Sequence, residues 1–299
     1  MRVFVTGATG FVGSAVVQEL LKTGHEVLGL ARNDAAAQTL LAVGAQVQRG
    51  DLQDLDSLRQ GAAAADGVIH TAFVHDFQNF KACCEIEGHA VAALGSALLG
   101  SDRPMVITSG TLLVSPGQLG IEDTVPVLTS EQFPRAVTEE TARTLAARGV
   151  RIAVVRLSPS VHGDGDHGFV PMLIDLARKK GLSAYVGEGK NRWTGVHRLD
   201  AAHLFRLALE QCVSGGRYHG ADEEGIAFRQ IAEVIGKRLN LPVVSLSPEQ
   251  AAEHFGWMAG FAQIDGPASS QLTRERLGWQ PSQLGLIADL EQSTHYFNI

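Results

Sequence analysis

The chain has 299 residues, 45% of them hydrophobic and 19% charged, so it can bury a sizeable core and lacks the polar makeup of a disordered segment. That length fits one large α/β unit, or a main domain with a smaller appendage. A formal net charge of −7, with no basic block longer than Arg178-Lys179-Lys180, gives little footing for a phosphate backbone, so no nucleic-acid partner is expected.

Residues 2–5 already read as a strand with no basic and apolar leader ahead of them, so no signal peptide is expected. Up to about residue 158, β-branched apolar runs at 3–6, 26–31, 45–49, 68–71, 105–108 and 151–157 alternate with Ala/Leu-rich helical patterns. This is the signature of βαβ units and a Rossmann-like, doubly wound parallel sheet. The first helix, 14–22, puts Val16, Val17, Leu20 and Leu21 on one face, and Thr23-Gly24-His25 stops it. The longest near-apolar stretch, 90–100, is far short of the ~20 residues that span a bilayer, so no membrane partner is expected. Cys83, Cys84 and Cys212 cannot make a disulfide framework and fit a reducing, cytoplasmic location. After Pro159 the pattern mixes helices at 170–180, 200–211, 228–239, 248–254 and 286–293 with Gly-rich connectors. The expected division is therefore 1–158 for the sheet domain and 159–299 for a smaller substrate lobe, with a later strand near 216–220 returning to the first sheet.

Thr6-Gly7-Ala8-Thr9-Gly10-Phe11-Val12-Gly13 follows the first strand and opens the first helix. Gly7 permits the tight turn, Gly10 lets the backbone approach a pyrophosphate, and Gly13 allows close helix packing. The helix N-terminus adds N–H donors and a positive dipole, so the segment reads as a dinucleotide site. At the end of the second strand an NAD site wants an acid for the ribose 2′-hydroxyl, and this chain has Arg32. A guanidinium there suits a 2′-phosphate, which favours NADP(H) over NAD(H). The alternative is that Arg32 is a solvated loop charge and Asp34 supplies the acid. Asp51, followed by Leu52, either caps the next helix or hydrogen-bonds the adenine amino group.

The glycine loop, Gly50-Asp51-Leu52, Val68-Ile69-His70-Thr71-Ala72, Ile107-Thr108-Ser109, 156–163, 196–202 and 277–281 occur in an order that resembles the short-chain dehydrogenase/reductase superfamily. The likeness is to its extended and atypical branches of NAD(P)-dependent epimerases, dehydratases and reductases. It implies that Asp51 and Leu52 contact adenine, that Thr71, Ala72 and Phe73 line the ribose path, and that Pro159, Ser160 and Val161 sit beside nicotinamide. It also implies a possible homodimer through the helix at 82–99.

The resemblance fails at the family's Tyr proton donor, which has a Lys four residues later. Tyr185 has Gly189 at that spacing, Tyr218 has Asp222, and Tyr296 has no residue there. The segment where the pair belongs holds Glu131 and Arg135 in one alignment, Arg135 and Glu139 in another. Candidate replacements are Ser109 and Thr111 at the end of the fifth strand, Arg135 as an electrostatic partner, and His162 as an acid. Each has a plain structural alternative: turn hydroxyls satisfying backbone, a solvated helix-start charge, an exposed loop histidine. The segment 162–168 is rich in His and Asp but lacks the ligand pattern of a zinc or calcium site, so no metal is expected. Arg192-Trp193 and Trp257-Met258 read as packing. The favoured function is an NADP(H)-dependent oxidoreductase of the atypical short-chain reductase type, acting on the carbonyl or alcohol of a small organic molecule. The alternatives are a non-catalytic NADP(H)-binding redox sensor and a nucleotide-sugar epimerase or dehydratase.

Overall fold

The structure, a computed structural model, describes residues 1–126 and 128–297. The β-branched runs form strands β1 (Arg2–Thr6), β2 (Glu26–Ala31), β3 (Gln46–Arg49), β4 (Gly67–His70), β5 (Met105–Gly110) and β6 (Ile152–Leu157). Seven strands form one sheet in the order β10-β6-β5-β4-β1-β2-β3, with β10 (Arg217–Gly220) joining last. Every pairing in it is parallel, including β10 on β6. The order reverses between β1 and β4, and the crevice outside the carboxyl ends there is where such sheets bind ligands.

Helices α1 (Phe11–Lys22), α2 (Asp34–Ala42), α3 (Leu55–Ala63), α4 (Phe80–Ser96) and α5 (Val137–Ala147) cross between these strands. Helix α1 begins at Phe11, three residues before the periodicity predicts, because the glycine loop itself forms its first turn. Strand pleating sends Val3 and Val5 to one face of the sheet and Phe4 to the other. The first face buries Val16, Val17 and Leu20 of α1 together with Leu204, Phe205 and Leu209. The second buries Leu58 of α3, Val91 and Leu94 of α4, and Leu145 of α5.

The rest of the chain forms β7 (Ser160–His162), α6 (Phe169–Lys180), β8 (Ser183–Val186), β9 (Arg192–His197), α7 (Arg198–Glu210), β11 (Glu223–Ala227), α8 (Phe228–Leu239) and β12 (Val243–Leu246). It continues with α9 (Pro248–Phe255), α10 (Ala259–Gln263), α11 (Gln271–Leu277) and α12 (Leu286–Gln292). Strands β11, β9 and β7 make a small sheet, and β12 pairs with β8. A separate core of Trp193, Phe228, Ile231, Phe255 and Leu286 holds this region together. Helix α7 packs on α1 and supplies Leu204, Phe205 and Leu209 to the main core, so residues beyond 158 serve both cores. Among the described residues no helix is long and apolar enough to cross a membrane.

Candidate functional site

Local sequence fixes the glycine loop. Gly7 has φ +67°, and a Cβ there would stand 2.7 Å from the Ala72 backbone nitrogen. A Cβ on Gly13 would lie 2.0 Å from the Gly7 carbonyl oxygen. Gly10 is exposed and its Cβ would meet only that same oxygen, at 3.2 Å. Gly10 is also the N-cap of α1, with no side-chain cap and no acid in the first turn. The first N–H groups of a twelve-residue helix therefore face an open, neutral approach beside exposed Thr9 and half-buried Phe11 and Val12. This cradle fits a dinucleotide pyrophosphate.

Arg32 is exposed at the end of β2 and makes no hydrogen bond or ion pair among the described residues. Asp34, the alternative ribose acid, is held by Arg49 instead. Asp51 accepts from the Gln53 nitrogen, while Asp54 caps α3 by accepting from the Ser57 nitrogen, so Asp51 is not that helix's cap. Leu52 is half-buried beside it.

Thr71 donates to the Thr6 carbonyl and, with Ala72, packs against Gly7. Phe73 carries the Arg135 guanidinium over its ring at 4.5 Å. Arg135 Nη1 donates to Glu87 Oε1 at 3.2 Å and to Thr138 Oγ1, and Nη2 donates to the Thr108 carbonyl at 3.1 Å. That leaves Nε–H and one Nη2 hydrogen without a protein acceptor among the described residues. Glu87 Oε2 pairs with His70 Nε2 at 3.1 Å, and His70 Nδ1 meets Thr6 Oγ1 at 2.6 Å. A buried polar chain thus runs from the base of the glycine loop to Arg135. Burial pushes the Glu87 carboxyl up, but His70 and Arg135 outweigh it and hold it below its ordinary value. Arg135 is therefore a positioned cation and not a solvated one.

The other catalytic candidates are less open. Ser109 is 4% exposed, and its unpartnered Oγ borders a crevice lined by Pro126, Leu128, Phe133, Ala136, Glu139 and Arg143. Thr111 is buried, its hydroxyl shared with Thr194 Oγ1 at 2.9 Å. His162 is fully enclosed in β7; its Nδ1 pairs with Asp289 at 2.8 Å, its Nε2 is unpartnered, and its ring lies edge-on to His197. It is neither an exposed loop residue nor one open to a cleft. Pro159 and Val161 are half-buried beside it, and Ser160 is buried with an unpartnered hydroxyl. His197 caps α7 by accepting from the Leu199 nitrogen. Among the described residues no three His, Cys, Asp or Glu side chains gather as a metal site.

The segment after β4 packs its aromatic rings against the C-terminal region. Phe77 stacks on Trp257 with centroids 4.3 Å apart and planes 10° off parallel, and it also touches Phe80, Phe169 and Phe261. His75 lies between them, edge-on to Phe73 at 5.2 Å and tilted against Phe77 at 6.1 Å. On the other flank Phe11 meets His167 edge-on at 5.8 Å, with the Arg198 guanidinium over its ring. Trp257, which composition reads as packing, bridges the two halves of the molecule.

Sequence reasoning missed Glu87 and His75. Glu87 had a signal: it falls between Cys83 and Val91 at spacings of four, on the apolar stripe of its helix. His75 had none, because a lone histidine in an aperiodic loop looks like any exposed residue.

A family model described as the NAD dependent epimerase/dehydratase family matches residues 3–220. An uncharacterized protein of Schizosaccharomyces pombe is 49% identical over 297 residues, covering 99% of this chain and 100% of its own length. A 2-alkyl-3-oxoalkanoate reductase of Stenotrophomonas maltophilia is 32% identical over 238 residues, covering 74% of this chain and 68% of its own. Among solved structures, the dTDP-glucose 4,6-dehydratase of Streptomyces venezuelae with NAD bound has a TM-score of 0.79 at 18% identity, covering 99% of this chain and 97% of its own. The glycine cradle, the strand order and the span of the family match agree, and the chain belongs to the NAD dependent epimerase/dehydratase family.

Proposed function

We propose that the protein is an NADP(H)-dependent reductase of a small organic carbonyl compound. The observation that carries this reading is the pairing of an uncapped, acid-free α1 N-terminus with an unengaged Arg32 at the end of β2. Helix α1 and Gly10 receive the pyrophosphate, and Arg32 meets the charge on the 2′-phosphate. Bound NADPH supplies the hydride. The free edge of Arg135, fixed by Glu87, Thr138 and the Thr108 carbonyl, orients and polarises the substrate oxygen. Phe77, Trp257, Phe169 and Phe261 give the substrate an apolar surround and keep water from the reacting centre. The 2-alkyl-3-oxoalkanoate reductase and a quinoline-oxide ketoreductase of Stigmatella aurantiaca, 27% identical over 286 residues, are carbonyl reductases by name and lend support.

The second reading is a non-catalytic NADP(H) sensor. It is favoured because Thr111 and His162 are enclosed and none of the three tyrosines stands where the family's Tyr belongs. Titration with NADPH and NADH, followed by a panel of ketones, aldehydes and quinones read at 340 nm, separates the two. The reductase reading expects tighter NADPH binding and turnover of at least one carbonyl, with Arg32→Ala weakening NADPH by about tenfold or more and leaving NADH unchanged. Binding without turnover favours the sensor, and binding of neither nucleotide removes both. A homodimer through α4 is a further proposal. Because Cys83, Val91 and Leu94 are already covered inside the chain, it needs exposed positions such as Glu85 and His89, and light scattering on the eluting protein tests it.

A further inference from the structure

We propose that His75 is the proton donor of the reduction, filling from the loop after β4 the role that no tyrosine of this chain can fill. The proposal rests on the reductase reading above.

Tyr185 faces Arg229, Tyr218 is buried in β10, and Tyr296 is held by the Gly163 nitrogen and Asp166. The hydroxyl of Thr111 is bonded to Thr194, and His162 is enclosed on Asp289. Ser109 is buried, and a serine hydroxyl is a poor acid near neutrality.

His75 sits on the loop that leaves the carboxyl end of β4, beside the reversal of strand order where such sheets bind ligands. Phe73 touches both groups, with the Arg135 guanidinium 4.5 Å from its ring centroid and the His75 ring edge-on to it at 5.2 Å, so Arg135 and His75 border one aromatic side chain. Neither ring nitrogen of His75 has a side-chain partner among the described residues, whereas both nitrogens of His70 and of His219 are engaged and His162 Nδ1 is held by Asp289. The residue is solvent-exposed, so solvent can restore its proton after each turnover.

The groups that face the ring set its acidity. Partial desolvation of the ring against Phe73 and Phe77 comes first, then the charges of Arg135 and His167; all three lower its pKa below the ordinary 6.5, against opposition from the Phe73 backbone and Glu87. A lowered pKa makes the imidazolium a stronger acid but leaves less of it at neutral pH.

The step balances simply. The carbonyl π bond breaks, a C–H bond forms with the hydride of the bound reduced dinucleotide, and an O–H bond forms with the imidazolium proton. The products are the alcohol, the oxidised dinucleotide and neutral His75. In the reverse direction neutral His75 takes the proton.

The test compares the wild type with His75→Gln. The His75 C2–H resonance, identified by its loss in the variant, must shift when NADPH is added, while the variant keeps wild-type NADPH affinity by fluorescence titration. Carbonyl reduction by the wild type should fall tenfold per pH unit above a pKa below 6.5, and alcohol oxidation should rise through the same pH. His75→Gln should lose that limb in both directions and about 10²-fold or more in kcat. Added imidazole should restore part of the rate to His75→Ala. An unmoved resonance overturns the proposal, as does a variant that keeps the rate and the pH limb of an active wild type. A wild type that binds NADPH but reduces no carbonyl overturns the reductase reading itself, so the two failures are told apart.

Discussion

Arg135 and Glu87 form a closed pair beneath the cleft, with Nη1 and Oε1 3.2 Å apart and side-chain exposures of 14% and 1%. Removing one member leaves the other's charge buried, which typically costs about 3–5 kcal/mol, here moderated for Glu87 by His70. Arg135→Met should therefore be strongly destabilised in urea titrations at pH 7. Wild-type Glu87 is held below its unfolded value, so its contribution to stability is lost as pH falls through the carboxylate range. With Arg135 gone, burial is opposed by His70 alone among the groups that hold Glu87 and its pKa rises, so the variant takes up that proton at higher pH than the wild type. The deficit of Arg135→Met should thus shrink as pH falls through the carboxylate range, and a constant deficit would mean the pair is not coupled.

Two glycines three residues apart should respond differently to the same methyl group. Gly13→Ala drives a Cβ to 2.0 Å from the Gly7 carbonyl, backbone against backbone, so both the melting temperature and dinucleotide binding should fall. Gly10→Ala meets one oxygen at 3.2 Å and has an ordinary φ of −77°, so melting should barely change. Its exposed methyl still covers the approach to the α1 N–H groups, so NADPH affinity should drop. Calorimetric melting and fluorescence titration on the two variants check this contrast.

Trp257 is 44% exposed, while Trp193 and Trp279 are fully buried, so collisional quenching reports on Trp257 alone. Phe77→Ala removes its stacking partner, a loss of about 0.5–1.5 kcal/mol beyond area burial. Quenching by acrylamide should rise in Phe77→Ala, and the rise should vanish in a Trp257→Phe background. An unchanged quenching constant would mean the β4 loop does not hold the lobe in solution.

His219 is fully buried, donating from Nδ1 to the Ser269 carbonyl and accepting from Arg156 at Nε2. Burial, then the Arg156 charge, hold its pKa down to about 3. The unfolded chain binds a proton near pH 6.5 that the folded chain refuses, so this residue makes stability decline as pH falls from 6.5 toward 3. The decline approaches about 1.4 kcal/mol per pH unit. His219→Gln lacks it, so the stability gap between wild type and variant should narrow steadily with acidification, read from denaturation midpoints at several pH values.

The sheet was legible wherever local pattern and tertiary role agree. Runs such as those of β1, β2, β5 and β6 are strands because β-branched residues suit a pleated surface covered on both faces, and the glycine spacing follows from sterics within eight residues. Thr111 and His162 show the opposite case. Their partners, Thr194 and Asp289, lie 83 and 127 residues away, so nothing nearby reveals that these side chains are spent internally. Strands β7, β8 and β12 have three or four residues each, too few for alternation to register. The aromatic bridge of Phe77 to Trp257 escaped for the same reason, being assembled from two three-residue helical turns 180 positions apart.

Val3 and Trp279 share one core, and α1 leans on α7 while β6 leans on β10. During synthesis the end of β6 precedes β10 by about 60 residues, or about 3–12 s at ribosomal speed. Through that interval the nascent chain carries a finished glycine loop on a helix that lacks its α7 neighbour and a sheet whose last strand shows a bare edge. Substitutions in α7 or β10 therefore act first on how much protein survives chaperones and proteases as it emerges, and only afterwards on anything a binding assay can measure.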